Sequence, residues 1–229
     1  MAVVTFANSK GGSGKTTSAL ILACELAEHA SVCLIDADPR RPLTTWATLP
    51  GKPERLTVVT NASEKTILDE IDAANANNQF VIVDLEGTAS RLTSYAISQS
   101  DLVVIPMKEQ QQDALAAIDV IQEIKRDMKA VRRDIPFAVL FTQTRVVAKS
   151  RTARFVSGQF KSNESTPVFA TEIHDRDAYS ALFSVGGGPR GLSARDVNNV
   201  DAAVRNAADF AAEVVTMLRS HNVNQKRVA

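Results

Sequence analysis

The sequence predicts an α/β protein, a single doubly wound domain over residues 1–229 with a mostly parallel sheet and helices on both faces. Three observations carry that expectation. Short apolar runs alternate with longer amphipathic ones along the whole chain, the order of strand and crossover helix units. The short runs are continuously apolar, as strands read when both faces are covered. A chain of 229 residues, 45% of them hydrophobic, also suffices for one sizeable core.

Each element follows in order. The first strand is Val3–Ala7, followed by a glycine-rich segment and a helix over Thr16–His29. Val32–Asp36 is the second strand, a proline-rich loop spans Pro39–Pro53, and Leu56–Val59 is the third strand. A helix over Glu64–Asn75 has Ser63 as its N-cap. Phe80–Asp84 precedes a short helix, Leu92–Gln99, and Leu102–Pro106 precedes the clearest helix, Asp113–Arg133. In that helix Leu115, Ile118, Ile121, Ile124, Met128 and Val131 recur at three- and four-residue steps, while Lys125, Arg126, Lys129, Arg132 and Arg133 take other faces. Phe137–Thr142 and Val168–Thr171 complete the strands, Gly186–Gly191 is a second loop, and a last helix covers Val197–Arg219. No repeat, low-complexity stretch or linker interrupts the pattern.

Composition excludes several classes. The 26 basic and 26 acidic residues cancel, so nucleic-acid binding would need a local patch. The balance is uneven along the chain: residues 1–144 hold 14 Lys/Arg against 18 Asp/Glu, and residues 145–229 hold 12 against 8. Cys24 and Cys33 lie in apolar segments and read as buried thiols. No pair of CxxC motifs argues for structural zinc. Neither a signal peptide nor an apolar run long enough to span a bilayer is present, so a cytoplasmic, soluble protein is expected.

The chemistry concentrates between the first strand and the first helix, in Lys10-Gly11-Gly12-Ser13-Gly14-Lys15-Thr16-Thr17. Glycines let backbone N–H groups approach phosphate oxygens closely, and the helix N-terminus adds partial positive charge. Lys15 is placed to reach the β- and γ-phosphates of a nucleotide, and the Thr16 hydroxyl to ligate Mg²⁺. The common phosphate loop has glycine five residues before Gly14; here Ser9 stands there, followed by a second lysine, Lys10.

This string resembles the deviant Walker A box of the ParA/MinD family of ATPases, P-loop NTPases of the SIMIBI type. The likeness extends over most of the chain. Asp36-Ala37-Asp38-Pro39 resembles the family's DxDP segment, and Phe80–Asp84 its Walker B strand. Arg91-Leu92-Thr93 through Ser100–Pro106 is similar to the helix and strand that follow. Arg41–Trp46 and Asn61–Lys65 resemble small, ParF-like partition ATPases. Arg41–Trp46 together with His174–Ala178 resembles the VirC-type ATPase of T-DNA transfer.

The resemblance implies roles. Lys15 neutralises the transferred phosphoryl group in its own subunit. Lys10 is the signature lysine, crossing an ATP-sandwiched homodimer to the partner's nucleotide, where it acts as an arginine finger does. Asp38 orients the attacking water; the alternative is that it caps the turn opening at Pro39. Asp36 and Asp84 reach Mg²⁺ through water, and a carboxylate ending an apolar strand, as Asp84 does, has little other purpose than a cation. After Asp84 the chain departs from many relatives: Leu85-Glu86-Gly87-Thr88 replaces prolines and glycine, although Gly87 can still sense the γ-phosphate. Thr142–Arg145 and the segment after Thr171 fall where the family surrounds the base.

Residues 145–161 contain Arg145, Lys149, Arg151, Arg154 and Lys161 with no acid. Lys149, Arg151, Arg154 and Lys161 are the candidate DNA contacts, a strip that would bind phosphates without reading sequence; a solvated helix face is the alternative. Arg126, Lys129, Arg132 and Arg133, and the scattered Arg190, Arg195, Arg205 and Arg219, are further candidates. Ser220–Ala229 lacks the bulky apolar face of a MinD-type membrane helix, so no membrane partner is expected. The cysteines sit in the wrong segments for an iron–sulfur relative, and no pocket for a metabolic ligase is identifiable. The expected protein is a Mg²⁺- and ATP-dependent dimerisation switch that hydrolyses ATP slowly, binds DNA without sequence preference and associates with the nucleoid when ATP-bound. Its expected partner is a small centromere-binding protein in plasmid partition. The alternatives are a relaxase in conjugative or T-DNA transfer, and a positioned protein cargo.

Overall fold

Strand pairing organises the computed structural model, which describes residues 1–87 and 90–228, with side chains described as far as His221. The elements are β1 (Ala2–Phe6), α1 (Lys15–Ala27), β2 (Val32–Ala37), α2 (Pro42–Trp46), β3 (Leu56–Val59), α3 (Ile67–Asn77), β4 (Phe80–Leu85) and α4 (Arg91–Ser98). They continue with β5 (Leu102–Met107), α5 (Gln111–Val131), β6 (Phe137–Thr144), α6 (Arg151–Lys161), β7 (Ile173–His174), α7 (Asp177–Val185) and α8 (Val200–Val228). The seven strands form one sheet in the order β3-β2-β4-β1-β5-β6-β7, with every pairing parallel.

Side-chain alternation divides the interior into two cores. Val4 and Phe6 of β1, Leu34 of β2 and Ile82 of β4 face a core closed by α1, α2, α7 and α8. Val3, Ile35, Val81 and Val83 face the other, closed by α3, α4, α5 and α6. Both faces are thus apolar, which explains the unbroken hydrophobic runs. Cys24 lies in the first core and Cys33 in the second, both buried and free. From β1 the chain first builds outward to β3, and later, from β5, to β7. The strand order reverses around β1, where the carboxyl ends form a crevice for a ligand.

Several expected elements differ. The strand expected at Val168–Thr171 contributes a single bridge, Val168 to Val139, and β7 proper is Ile173–His174. The reason is competition for donors: the Glu213 carboxylate of α8 takes the N–H groups of Ala170 and Thr171 at 2.6 and 2.8 Å. The loop expected at Pro39–Pro53 holds α2, started by Pro42 in the first turn, where its missing N–H costs nothing. Helix α3 begins at Ile67 with Thr66 at the N-cap, so Ser63 is not the cap; its carbonyl closes the preceding turn from Thr66 and Ile67. Helix α5 buries Ala114, Ala117, Val120, Ile121 and Ile124, and leaves Leu115 and Ile118 56% and 42% exposed. The small residues set the buried stripe there because they let α5 lie close to its neighbours. Helix α6 falls in the strip for which a solvated helix face was the alternative, and α7 has no counterpart among the expected elements.

Candidate nucleotide and metal site

The loop between β1 and α1 has the geometry of a phosphate cradle. Gly12 and Gly14 have φ of 71° and 92°, the left-handed region that other residues enter only with strain. Gly14 is also the N-cap of α1, and a Cβ there would come within 3.1 Å of the Thr142 side chain. The end of β6 holds the loop from outside: Thr142 Oγ1 donates to the Ser13 carbonyl at 2.6 Å and Gln143 Nε2 to the Gly12 carbonyl at 3.3 Å. From the other side, buried Asn8 donates its Nδ2 to the Pro106 carbonyl at 2.7 Å and accepts from Lys10 N at 2.8 Å. Asn8 thereby ties the exit of β1 to the end of β5, a role that no motif marks in the sequence.

A cavity of about 490 Å³ opens over this loop, lined by Gly11–Thr17, Asp38, Pro39, Arg40, Pro42, Glu86, Gly87 and Gln143. The phosphate-loop residues, Asp38 and the Glu86-Gly87 segment therefore share one site. Gly87 packs so closely that a Cβ would lie 3.2 Å from Gly11 N. A second cavity of about 210 Å³ shares Gly14, Thr17 and Gln143 with the first and is walled by Thr142, His174, Asp175, Arg176 and Tyr179. It occupies the two segments expected to surround a base. Thr144 Oγ1 and His174 Nδ1 lie 2.8 Å apart behind it.

Lys15 is buried, and its Nζ donates to the carbonyls of Asn8 (3.0 Å) and Lys10 (3.3 Å). Burial lowers its pKa, against the pull of Asp84, Asp38 and Glu86. Asp36 and Asp84 are partners in register on β2 and β4 and are 2% and 0% exposed. Neither Asp84 oxygen has a hydrogen-bond partner of ordinary geometry. Burial pushes the Asp84 carboxyl up to about 7; the Thr16 hydroxyl and Lys15 oppose the shift, and Asp36 and Asp38 add to it. Asp36 Oδ2 accepts from Thr44 N and Thr44 Oγ1 at 2.7 and 2.8 Å, while its Oδ1 is buried without a partner.

Three buried carboxylate oxygens without a hydrogen bond of ordinary geometry, beside a threonine hydroxyl, form an environment that a divalent cation would relieve. The residues fit Mg²⁺: Thr16 would hold it directly, Asp84 and Asp36 through water. Among the described residues no three His, Cys, Asp or Glu side chains converge into a self-sufficient cage. Asp38 caps its turn, Oδ1 accepting from Arg40 N at 2.8 Å, and the residue also lines the cavity.

Lys10 does not point away from the molecule. Its Nζ is paired with Asp113 in the first turn of α5, a fully buried carboxylate. The basic strip is divided. Lys149 pairs with Glu109 (2.6 Å) and Glu172 (2.6 Å), and Lys161 with Glu172 (3.0 Å). Arg145, Arg151 and Arg154 are exposed, beside exposed Val147 and Phe155. Elsewhere Arg133 is committed to the Ser98 and Ser100 carbonyls (2.8 and 2.7 Å), and Arg190 to Glu25. The Thr88 position and the side chains of Asn222–Ala229, which include most of the tail expected to lack a membrane face, lie outside the described residues. Among the described residues no helix is long and apolar enough to cross a membrane.

The family described as VirC1 protein matches residues 1–213. A protein named ParA from Rhizobium radiobacter is 37% identical over 219 residues, covering 95% of this chain and 98% of its own. A protein named virC1 from the same organism is 31% identical over 192 residues, covering 81% of this chain and 82% of its own. Among solved structures, McdA from Cyanothece superposes with a TM-score of 0.74 at 16% identity, over 90% of this chain and 99% of that one. A plasmid partition protein from Borrelia burgdorferi, bound to AMPPNP, gives 0.70 at 16% identity, over 94% and 98%.

Proposed function

This chain belongs to the VirC1 family of ParA-like proteins, and from that membership we propose that it is an ATP-driven dimerisation switch acting on DNA. ATP joins two subunits, the dimer binds DNA without sequence preference, and hydrolysis to ADP and phosphate resets it. The observation that carries this function is the meeting of the glycine-rich loop, Lys15 and Thr16 with Asp38 and Gly87 around one cavity.

In this mechanism the triphosphate lies over Gly11–Thr16, and Lys15 leaves the Asn8 and Lys10 carbonyls for its β- and γ-oxygens. Lys10 contributes a second positive charge to the partner's nucleotide. Asp38, held by its own turn, orients the attacking water. Mg²⁺ at Thr16 supplies charge neutralisation on the phosphate oxygens when bound. Arg151 and Arg154 face DNA phosphates; Lys149 and Lys161 hold the segment that presents them.

The likeness to ParA over 95% of the chain supports plasmid partition, with a small centromere-binding protein that stimulates hydrolysis. The VirC1 match supports a second function, in conjugative or T-DNA transfer, with a relaxase as partner. Light scattering and nucleotide titration test the switch. Lys15→Ala is expected to abolish nucleotide binding. Lys10→Ala is expected to keep most of the binding and lose ATP-dependent dimerisation and hydrolysis. A Lys10→Ala protein that dimerises normally with AMPPNP overturns the trans role. Stimulation of hydrolysis by a purified centromere-binding protein, or by a relaxase, separates the two functions.

A further inference from the structure

We propose that Asp113 is a positioning residue that holds Lys10 inside its own subunit, so that the Lys10–Asp113 pair is a latch opposing dimerisation until nucleotide is loaded. The inference rests on the dimerisation switch proposed above and adds a residue that no motif or comparison assigns. Asp113 sits in the first turn of α5, where the helix N-terminus favours a carboxylate. It is fully buried, and among the described residues the cation paired with it is Lys10. Its other contact is a long one, from Lys108 N at 3.4 Å. The Lys10 side chain is 31% exposed, so it lies at the boundary between this pocket and the surface a partner would approach.

The backbone of Lys10 is fixed while its side chain is free to choose. Lys10 N is held by Asn8 Oδ1, and its carbonyl accepts from Lys15 Nζ. A lysine that crosses to a second subunit must leave Asp113 behind as a buried carboxylate without its cation, a costly state. That cost falls on the dimer and not on the monomer. Loading a triphosphate draws Lys15 away from the Lys10 carbonyl, which relaxes the same loop. Nucleotide binding and release of the latch are therefore mechanically adjacent, through one carbonyl oxygen.

The test measures dimerisation by sedimentation of the full chain with AMPPNP and Mg²⁺. Asp113→Asn keeps shape and removes charge; it is expected to lower the dimer dissociation constant at least ten-fold, with nucleotide affinity unchanged. Lys10 is itself needed for the dimer, so the control reads the nucleotide-free protein: Asp113→Asn is expected to raise the rate at which Lys10 reacts with an amine-acetylating reagent, which a merely structural role for Asp113 does not predict. Equal or weaker dimerisation of Asp113→Asn than wild type overturns the latch and leaves the switch standing, as does a gain in dimerisation with Lys10 labelling unchanged. Wild type monomeric while Asp113→Asn dimerises supports the latch; both monomeric with nucleotide bound overturns switch and latch together. Should Asp113→Asn not fold, Lys10→Met alone decides: it is expected to lower the melting temperature of the nucleotide-free protein by stranding Asp113, and an unchanged value overturns the pairing.

Discussion

The nucleotide cavity and the basic strip of residues 145–161 treat charge in opposite ways. Beneath the cavity, Asp84 and one oxygen of Asp36 are buried with no hydrogen bond of ordinary geometry. In the strip, both lysines are spoken for: Lys149 is tied to Glu109 and Glu172, 40 and 23 residues away along the chain, and Lys161 to Glu172, 11 residues away. Buried charge without a partner is expensive and persists only where something else completes it. Paired charge at the surface is cheap and common, and marks architecture more often than binding. The contrast sets buried carboxylates that a cation would complete against a scaffold that presents only part of its positive charge.

The contrast breaks first at Asp84. Asp84→Asn removes the unpartnered carboxylate while keeping its shape, and Mg²⁺-dependent hydrolysis should fall by about 100-fold or more, the scale of losing a group that serves the charged transition state. Stability of the nucleotide-free protein should move the other way. Asp84 titrates near 7 when folded, above its ordinary value of 3.8. A group raised in this way stabilises the fold fully below its unfolded pKa and loses that contribution as pH rises through its folded one. The wild type should therefore lose stability relative to Asp84→Asn from about pH 4, with the difference levelling off above about 7. Thermal melts from pH 4.5 to 8.5, with and without AMPPNP and Mg²⁺, check both signs. A wild type as stable as the variant at pH 8 without ligand would remove the idea of a site held open at a cost.

Legibility follows the same division. The cavity was readable because its chemistry is local: Gly12, Gly14, Lys15 and Thr16 stand within one turn, and Asp84 ends an otherwise apolar strand. The doubly wound fold was readable because Val, Ile and Leu fill both faces of the inner strands. What was not readable depends on contacts across the chain. Thr44 on Asp36, Asn8 on Pro106 and Asp113 on Lys10 join residues 8, 98 and 103 positions apart, with no pattern linking them. Glu213, some 40 residues further along the chain, displaced the seventh strand. The exposed Leu115 and Ile118 mislead for another reason: a spacing of three and four identifies a helix but not which of two adjacent stripes faces inward.

A smaller effect sharpens the strip itself. Arg151 and Arg154 are exposed on the first turn of α6, which carries no acid to offset them. Changing both to Glu should weaken binding to random duplex DNA by roughly 10- to 100-fold and reduce the slope of log affinity against log salt by about two. Lys149→Met should leave that slope within about half a unit, because Lys149 is engaged by two glutamates. Fluorescence anisotropy across 50–200 mM salt distinguishes the two. A slope that falls equally in both variants would mean that Lys149 trades its glutamates for phosphates when DNA arrives.

The smallest expected change is the stability cost of Lys149→Met, and it tests the scaffold half of the contrast directly. Lys149 joins three segments: Glu109 ahead of α5, Glu172 ahead of β7, and its own stretch ahead of α6. Its side chain is 25% exposed, and those of Glu109 and Glu172 are 7% and 11% exposed, so the network lies between a surface pair and a buried one. Surface pairs contribute up to about 1 kcal/mol, and breaking a buried one costs about 3–5 kcal/mol. An intermediate loss of about 1–2 kcal/mol corresponds to a fall of roughly 2–8 °C in melting temperature for a chain of this size. Lys161 still faces Glu172 in the variant, which keeps the loss toward the lower end. Pairing holds Glu172 below the usual carboxylate range, so its contribution is present above its unfolded pKa and is lost as pH falls through the lowered folded one. The difference between Lys149→Met and wild type should therefore shrink on acidification below about pH 4.5. A difference independent of pH down to 3 would assign the loss to packing of the lysine stem, and the strip would no longer be held by charge.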